Sequence, residues 1–152
     1  MQGLKEALDS GRALHIGISN CFAWQLCRAN ALADAMDMER FTSVQNHYNL
    51  IFREEEREMR PYCLESGTTR TPYSPLASGR LTRPPGSGTK RFEQDSYAHL
   101  KYDSTEAADS AVIERVSQLA DDRGVSMAQI STAWLLSKTT SVVAGATSPT
   151  QA

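Results

Sequence analysis

Leu14-His15-Ile16-Gly17-Ile18-Ser19-Asn20 is the stretch that decides the fold. A short apolar run breaks off in two small polar residues, and Trp24, Cys27, Ala31 and Ala35 then recur at helical spacing. The run reads as a strand, with Ser19-Asn20 as the turn and the helix N-cap. Outward from it the succession repeats. Thr42-Ser43-Val44-Gln45-Asn46-His47-Tyr48 is a second strand-like run. Arg53 to Leu64, rich in Glu and Arg, reads as a helix with Gly67 as its C-terminal cap and the EEERE cluster as a solvated face. A third strand is expected near Thr69 to Ser74, limited by Gly67 before it and Pro75 after it.

The segment from Leu76 to about Thr105 lacks a clear period and contains Pro84-Pro85-Gly86-Ser87-Gly88. An irregular length of this kind inside a compact domain marks a functional or mobile loop. Glu106 to Arg123 follows as a helix with an apolar stripe of Val112, Ile113, Val116, Leu119 and Ala120, stopped by Gly124. Ser126 and Gln129 spell a capping box, and in the helix it opens Ile130, Ala133, Trp134 and Ser137 face one way. Val142-Val143-Ala144 is a last short strand entering Gly145-Ala146-Thr147-Ser148-Pro149. Strands alternating with helical crossovers give an α/β fold with parallel strands.

The bulk numbers narrow the function. The 152 residues fit one domain, with 40% hydrophobic and 22% charged residues. A net charge of -2, with both signs interspersed, offers no basic stripe for nucleic acid and no polybasic membrane patch. There is no long apolar run, and MQGLKEALDSGR is not a secretory signal. Cys21, Cys27 and Cys63 suit no disulfide scaffold, so a cytoplasmic setting is expected. His15, His47 and His99 are scattered and no metal-ligand spacing occurs, so no metal is expected.

Polar residues gather at the expected C-terminal ends of the strands: Ser19 and Asn20, Gln45 and Asn46, Tyr73 and Ser74, then Gly145, Ala146 and Thr147. In parallel sheets and barrels that rim is where ligands bind. Hydroxyls and amides both donate and accept hydrogen bonds, which matches a carboxamide well and a metal poorly. Tyr73 offers a flat face to a heteroaromatic ring. Glycine followed by hydroxyl residues brings backbone N–H groups close to phosphate. Each of these taken alone is more often a satisfied core amide, a core aromatic or an ordinary turn glycine. Their order along the chain is what carries weight.

That order resembles a known family. LHIGISN (14–20), FTSVQNHYNLIFREEEREMRPYC (41–63), TPYSPLASGRLT (71–82) and VVAGATSPTQ (142–151) are similar, in the right sequence, to four motifs of the aldo-keto reductases. The REEERE helix most resembles a bacterial-type branch. The resemblance implies a partial (β/α)8 TIM barrel, roughly the C-terminal half, strands five to eight, spanning 1–152 with a long loop at about 76–105. It also implies an oxidoreductase that uses NADP(H), with NAD(H) possible, to reduce an aldehyde or ketone. By similarity Ser19, Asn20 and Gln45 would hold the nicotinamide carboxamide and Tyr73 would stack on its ring. Ser74, Leu76, Ser78 and Arg80 would line the ribose and pyrophosphate, largely through backbone groups. Gly145, Thr147, Ser148 and Gln151 would approach the adenosine ribose phosphate.

The sequence departs from the family in three respects. The family's catalytic Asp, Tyr, Lys and His lie on its first four strands. Tyr48, Tyr62, Tyr73, Tyr97 and Tyr102 match none of them, so the chain alone is expected to be inactive. The family's adenine-gripping residues would follow Gln151. Thr68-Thr69-Arg70-Thr71 stands where the family has mostly Val and Ile, and an arginine there is costly unless paired. A partial barrel also has open edges, so self-association is expected. A non-catalytic dinucleotide-binding or assembly module and a degenerate remnant are the competing readings. Aldolase or isomerase chemistry would need a lysine or paired carboxylates at strand ends, and none is evident.

Overall fold

The computed structural model describes residues 1–85, 87 and 96–145. Contacts divide them into two compact units. The first comprises 1–47, 54–73 and 139–141; the second comprises 48–53, 74–138 and the chain from 142.

In the first unit, helix α1 (Gln2–Asp9) leads to strand β1 (Gly17–Ser19), helix α2 (Ala23–Ala35) to strand β2 (Ser43–Gln45), and helix α3 (Met59–Ser66) to strand β3 (Thr69–Arg70). The strands form one parallel sheet in the order β1-β2-β3. Ser19 pairs with Gln45 and Val44 with Arg70, and beyond the regular ladder His47 bridges Tyr73. The regular strands are shorter than the apolar runs that announce them. Leu14 and His15 are exposed and outside β1, which moves the start of pairing to Gly17. At Gly17 the strands come close: a Cβ there would lie 2.6 Å from the Ser43 hydroxyl oxygen.

The core of this unit is Ile16, Leu26, Phe41, Val44, Met59 and Cys63. Helix α2 presents Leu26, Asn30 and Ala33 to it, not the stripe of Trp24, Cys27, Ala31 and Ala35, which is solvent-facing. The helix starts later than Ser19-Asn20 predicts. Its N-cap is Phe22, whose N–H donates to the Gln25 side chain at 2.9 Å, and this sets the rotational phase of the buried face. Asn30 ties the layers together: its oxygen accepts from the Phe41 N–H and its amide donates to the Tyr62 hydroxyl, both at 3.0 Å. Gly67 caps α3 in the left-handed conformation expected of it, with φ 73°.

The second unit contains a 3-10 stretch (Ala77–Thr82), helix α4 (Ser96–Tyr102), a 3-10 turn (Asp103–Thr105), helix α5 (Glu106–Arg123) and helix α6 (Met127–Leu136). Much of the expected loop is therefore helical turn; its tip at Gly86 and 88–95 lies outside the described residues. The core is Ala77, Leu81, Tyr102, Ile113, Val116, Ala120 and Met127. Helix α5 has the predicted bounds, the left-handed Gly124 cap and most of the predicted stripe. The Ser126–Gln129 capping box forms on both sides. Helix α6 turns a different face inward: Met127, Ser131 and Leu135 are buried, whereas Ala133 and Ser137 are exposed. The Ser131 hydroxyl donates to the Leu81 carbonyl at 3.2 Å, so a small polar residue satisfies a backbone group inside this core.

Val142-Val143-Ala144 does not form a regular strand. Only Val143 takes a bridge position, and it is 43% exposed. Among the described residues no helix is long and apolar enough to cross a membrane.

Candidate functional site

Ser19, Gln45 and Tyr73 stand at or just beyond the C-terminal ends of β1, β2 and β3, and the parallel register puts those ends on one rim. Asn20 follows Ser19 in a left-handed turn, φ 50°, with its N–H donating to the Gln45 carbonyl at 3.3 Å. The Ser19 hydroxyl donates to the same carbonyl at 2.7 Å. The Tyr73 hydroxyl donates to the Asn20 side-chain oxygen at 3.0 Å. These bonds spend the Ser19 and Tyr73 protons inside the protein. They leave the hydroxyl lone pairs of Ser19, the amide hydrogens of Asn20 and the exposed Gln45 amide facing outward. That donor and acceptor set fits a carboxamide.

Tyr73 has a companion that the sequence reading passed over. His47 stacks on its ring with centroids 5.4 Å apart and planes 18° from parallel. Period-two alternation from Gln45 gives His47 the same side of the strand, so the pattern carried a signal for it. One face of the phenol ring is thus covered by protein.

In the second unit Ser74, Leu76, Ser78 and Arg80 fall on one tight segment. Ser74, Ala77 and Ser78 all have positive φ, at 57°, 48° and 56°, and Gly79 follows at 96°. Such backbone is costly for a residue with a Cβ and gathers where function needs a particular turn. The Leu76 carbonyl accepts from Gly79 and Leu81. Arg80 is held within the unit: it bonds Asp103, lies 3.8 Å from Glu106, and sits 5.8 Å over the Tyr102 ring.

Asn49, absent from the sequence reading, anchors this segment. It is fully buried, donates to the Ser74 carbonyl at 2.9 Å and the Tyr102 hydroxyl at 3.1 Å, and accepts from the N–H groups of Ile51 and Phe52. A buried asparagine with its donors and acceptor all engaged fixes the turns it joins. Gly145 is exposed with open space around it. Thr147, Ser148 and Gln151 lie outside the described residues.

Behind the rim, the EEERE cluster departs from expectation. Glu54 is solvated, but Glu55 turns inward and accepts from the Asn46 amide at 2.9 Å. Burial pushes its carboxyl above the ordinary glutamate range, with the Asn46 bond and the Arg70 charge pulling back. The cluster breaks into a 3-10 turn (Glu54–Glu56) before α3, which is why one of its acids can face the core. Arg70 is buried on β3, and its charge acts on both Glu55 and Cys63. Burial pushes the Cys63 thiol up to about 11 and raises Cys21 as well. Neither suits a thiolate nucleophile.

A family model described as the aldo/keto reductase family matches residues 1–152. The chain is 44% identical over 139 residues to versiconal hemiacetal acetate reductase of Aspergillus parasiticus, covering 90% of this chain and 40% of that protein. It is 37% identical to aldo-keto reductase dtxS3 of Metarhizium robertsii, covering 95% and 40%. It is 35% identical to aldo-keto reductase AMT2 of Alternaria alternata, covering 97% and 40%. These three relatives are fungal, unlike the bacterial-type branch that the REEERE helix suggests. The chain spans 40% of their length.

Proposed function

Because this chain belongs to the aldo/keto reductase family, we propose that it supplies the coenzyme-cradling part of an oxidoreductase that reduces an aldehyde or ketone with NADP(H). The observation that carries the reading is the meeting of Ser19, Asn20, Gln45 and Tyr73 at the ends of three parallel strands. Ser19, Asn20 and Gln45 hold the carboxamide, which has one acceptor and two donors to satisfy. Tyr73, backed by His47, gives the nicotinamide ring a flat surface and fixes which ring face turns toward a substrate. Bound there, the dinucleotide supplies the reducing equivalent. Holding the ring still is the chain's contribution, since reduction needs ring and carbonyl at near-attack distance. By resemblance to the family, the second unit's Ser74, Leu76 and Ser78 would offer backbone groups to a ribose and pyrophosphate, and Gly145, Thr147, Ser148 and Gln151 would serve an adenosine end.

No proton donor is assigned. Tyr48 and Tyr102 are buried, and the Tyr73 proton is committed to Asn20. The expectation that these 152 residues bind coenzyme without turning over rests on the resemblance, since the family's catalytic Asp, Tyr, Lys and His match no residue among them. The test is titration of the purified chain with NADPH, followed by fluorescence, beside an assay of NADPH oxidation with simple aldehydes. Saturable binding that weakens about tenfold in Gln45→Ala is expected, with no turnover. Absence of binding overturns the cradle; clear turnover overturns the inactivity.

A further inference from the structure

We propose that Glu55 is a positioning residue for this site: by bonding Asn46 it sets the backbone at Cys21, and so holds Asn20 against Tyr73. The inference rests on the coenzyme reading above for its functional meaning, but its geometry stands alone.

Asn46 is the joint. It is 6% exposed and directly follows β2, buried where Gln45 before it is exposed. Its amide nitrogen donates to the Cys21 carbonyl and to Glu55 Oε2, both at 2.9 Å, while its side-chain oxygen accepts from the Cys21 N–H at 3.3 Å. Its backbone carbonyl accepts from the Tyr73 N–H at 3.1 Å. One residue therefore grips both the turn after β1 and the end of the β3 segment, and the Asn20–Tyr73 bond closes the circuit. Asn20 itself sits in the left-handed region at φ 50°, a setting asparagine tolerates better than most residues, so the circuit fixes where its side chain is presented rather than forcing its backbone.

An asparagine side chain fits a pocket of this shape two ways round. Rotating it by a half-turn would aim its oxygen at the Cys21 carbonyl and its nitrogen at the Cys21 N–H, replacing two bonds with two repulsions. Glu55 breaks the symmetry further: an ionised carboxylate only accepts, so it demands the nitrogen end. The carboxylate thus acts on the coenzyme side of the sheet without touching coenzyme. Its charged neighbours are Arg70 on β3, Cys21 on the turn and Cys63 on α3. Burial raises both thiols above their already basic ordinary value, so Glu55, raised from the ordinary glutamate range, is the acid of this set whose titration the experiment follows.

The experiment is a pH titration of the whole chain by two-dimensional NMR, with the wild type compared with Glu55→Gln and Glu55→Ala. In the wild type the Asn46 side-chain signals and the Cys21 and Asn20 amides should follow one midpoint, above the ordinary glutamate value. In Glu55→Gln, which keeps an acceptor, they should stay near their wild-type positions but cease to titrate. In Glu55→Ala they should shift or broaden, and NADPH binding should weaken about tenfold, with Glu55→Gln restoring it to within about threefold. Wild-type Cys21 and Asn20 signals that ignore the Glu55 midpoint overturn the proposal, and this arm needs no variant to fold. If the signals respond as expected but neither wild type nor variants bind NADPH, the coenzyme reading fails and the positioning stands.

Discussion

The Tyr73 hydroxyl and the Asn20 side-chain oxygen meet at 3.0 Å across 53 residues of sequence, fastening the turn after the first strand to the end of the third. Both residues are partly solvent-exposed, so the bond is worth less than a buried one. Tyr73→Phe should cost about 1 kcal/mol or less in urea unfolding. Because the ring remains, coenzyme affinity should change by no more than about threefold, whereas Tyr73→Ala should lower it about tenfold. Equal losses in the two variants would mean that the hydroxyl, not the ring face, carries the interaction.

Asn49 should be among the costliest single positions. Removing its amide leaves the Ser74 carbonyl, the Tyr102 hydroxyl and two backbone N–H groups without that partner in the interior. Asn49→Ala is expected to lose about 3 kcal/mol or more in the same unfolding assay. A loss below about 1 kcal/mol would show that water replaces the side chain without cost.

The three thiols should separate by rate. Cys27 is exposed on α2, Cys21 is half-buried, and Cys63 is buried with its thiol pushed up to about 11. At pH 8 only about one Cys63 in a thousand carries the reactive thiolate. With a thiol reagent in excess, Cys27 should react first and Cys63 last, its modification waiting on unfolding. Mass mapping of the modified peptides over time checks the order. Early labelling of Cys63 would contradict the packing of the first unit.

The sequence was most legible where local chemistry sets the answer. Gly67 and Gly124 cap helices because only a left-handed residue closes those ends, and the Ser126–Gln129 box is a contract between neighbours. The rim residues were legible through the order of the motifs. Three kinds of information were not. The rotation of α2 and α6 about their axes depends on which face meets the core, and mixed Ala, Ser and Trp faces leave that open. The inward turn of Glu55 depends on a break in the helix between Glu56 and Met59, hidden in a run of charges that resembles a solvated face. The roles of Asn46 and Asn49 depend in part on partners 25 to 53 residues away, Cys21 for the one and Ser74 and Tyr102 for the other, a distance at which sequence spacing says nothing.

Ser74, Ala77 and Ser78 bend against the preference of their own side chains and stay bent. Glycine at these positions would relieve that tension but would also loosen the unfolded chain and the loop itself. Keeping Cβ atoms there works like a spring wound and latched: it narrows the shapes open to the segment compared with glycine. If the coenzyme phosphates are cradled there as proposed, they would meet a turn already shaped and would give up little binding energy to shape it.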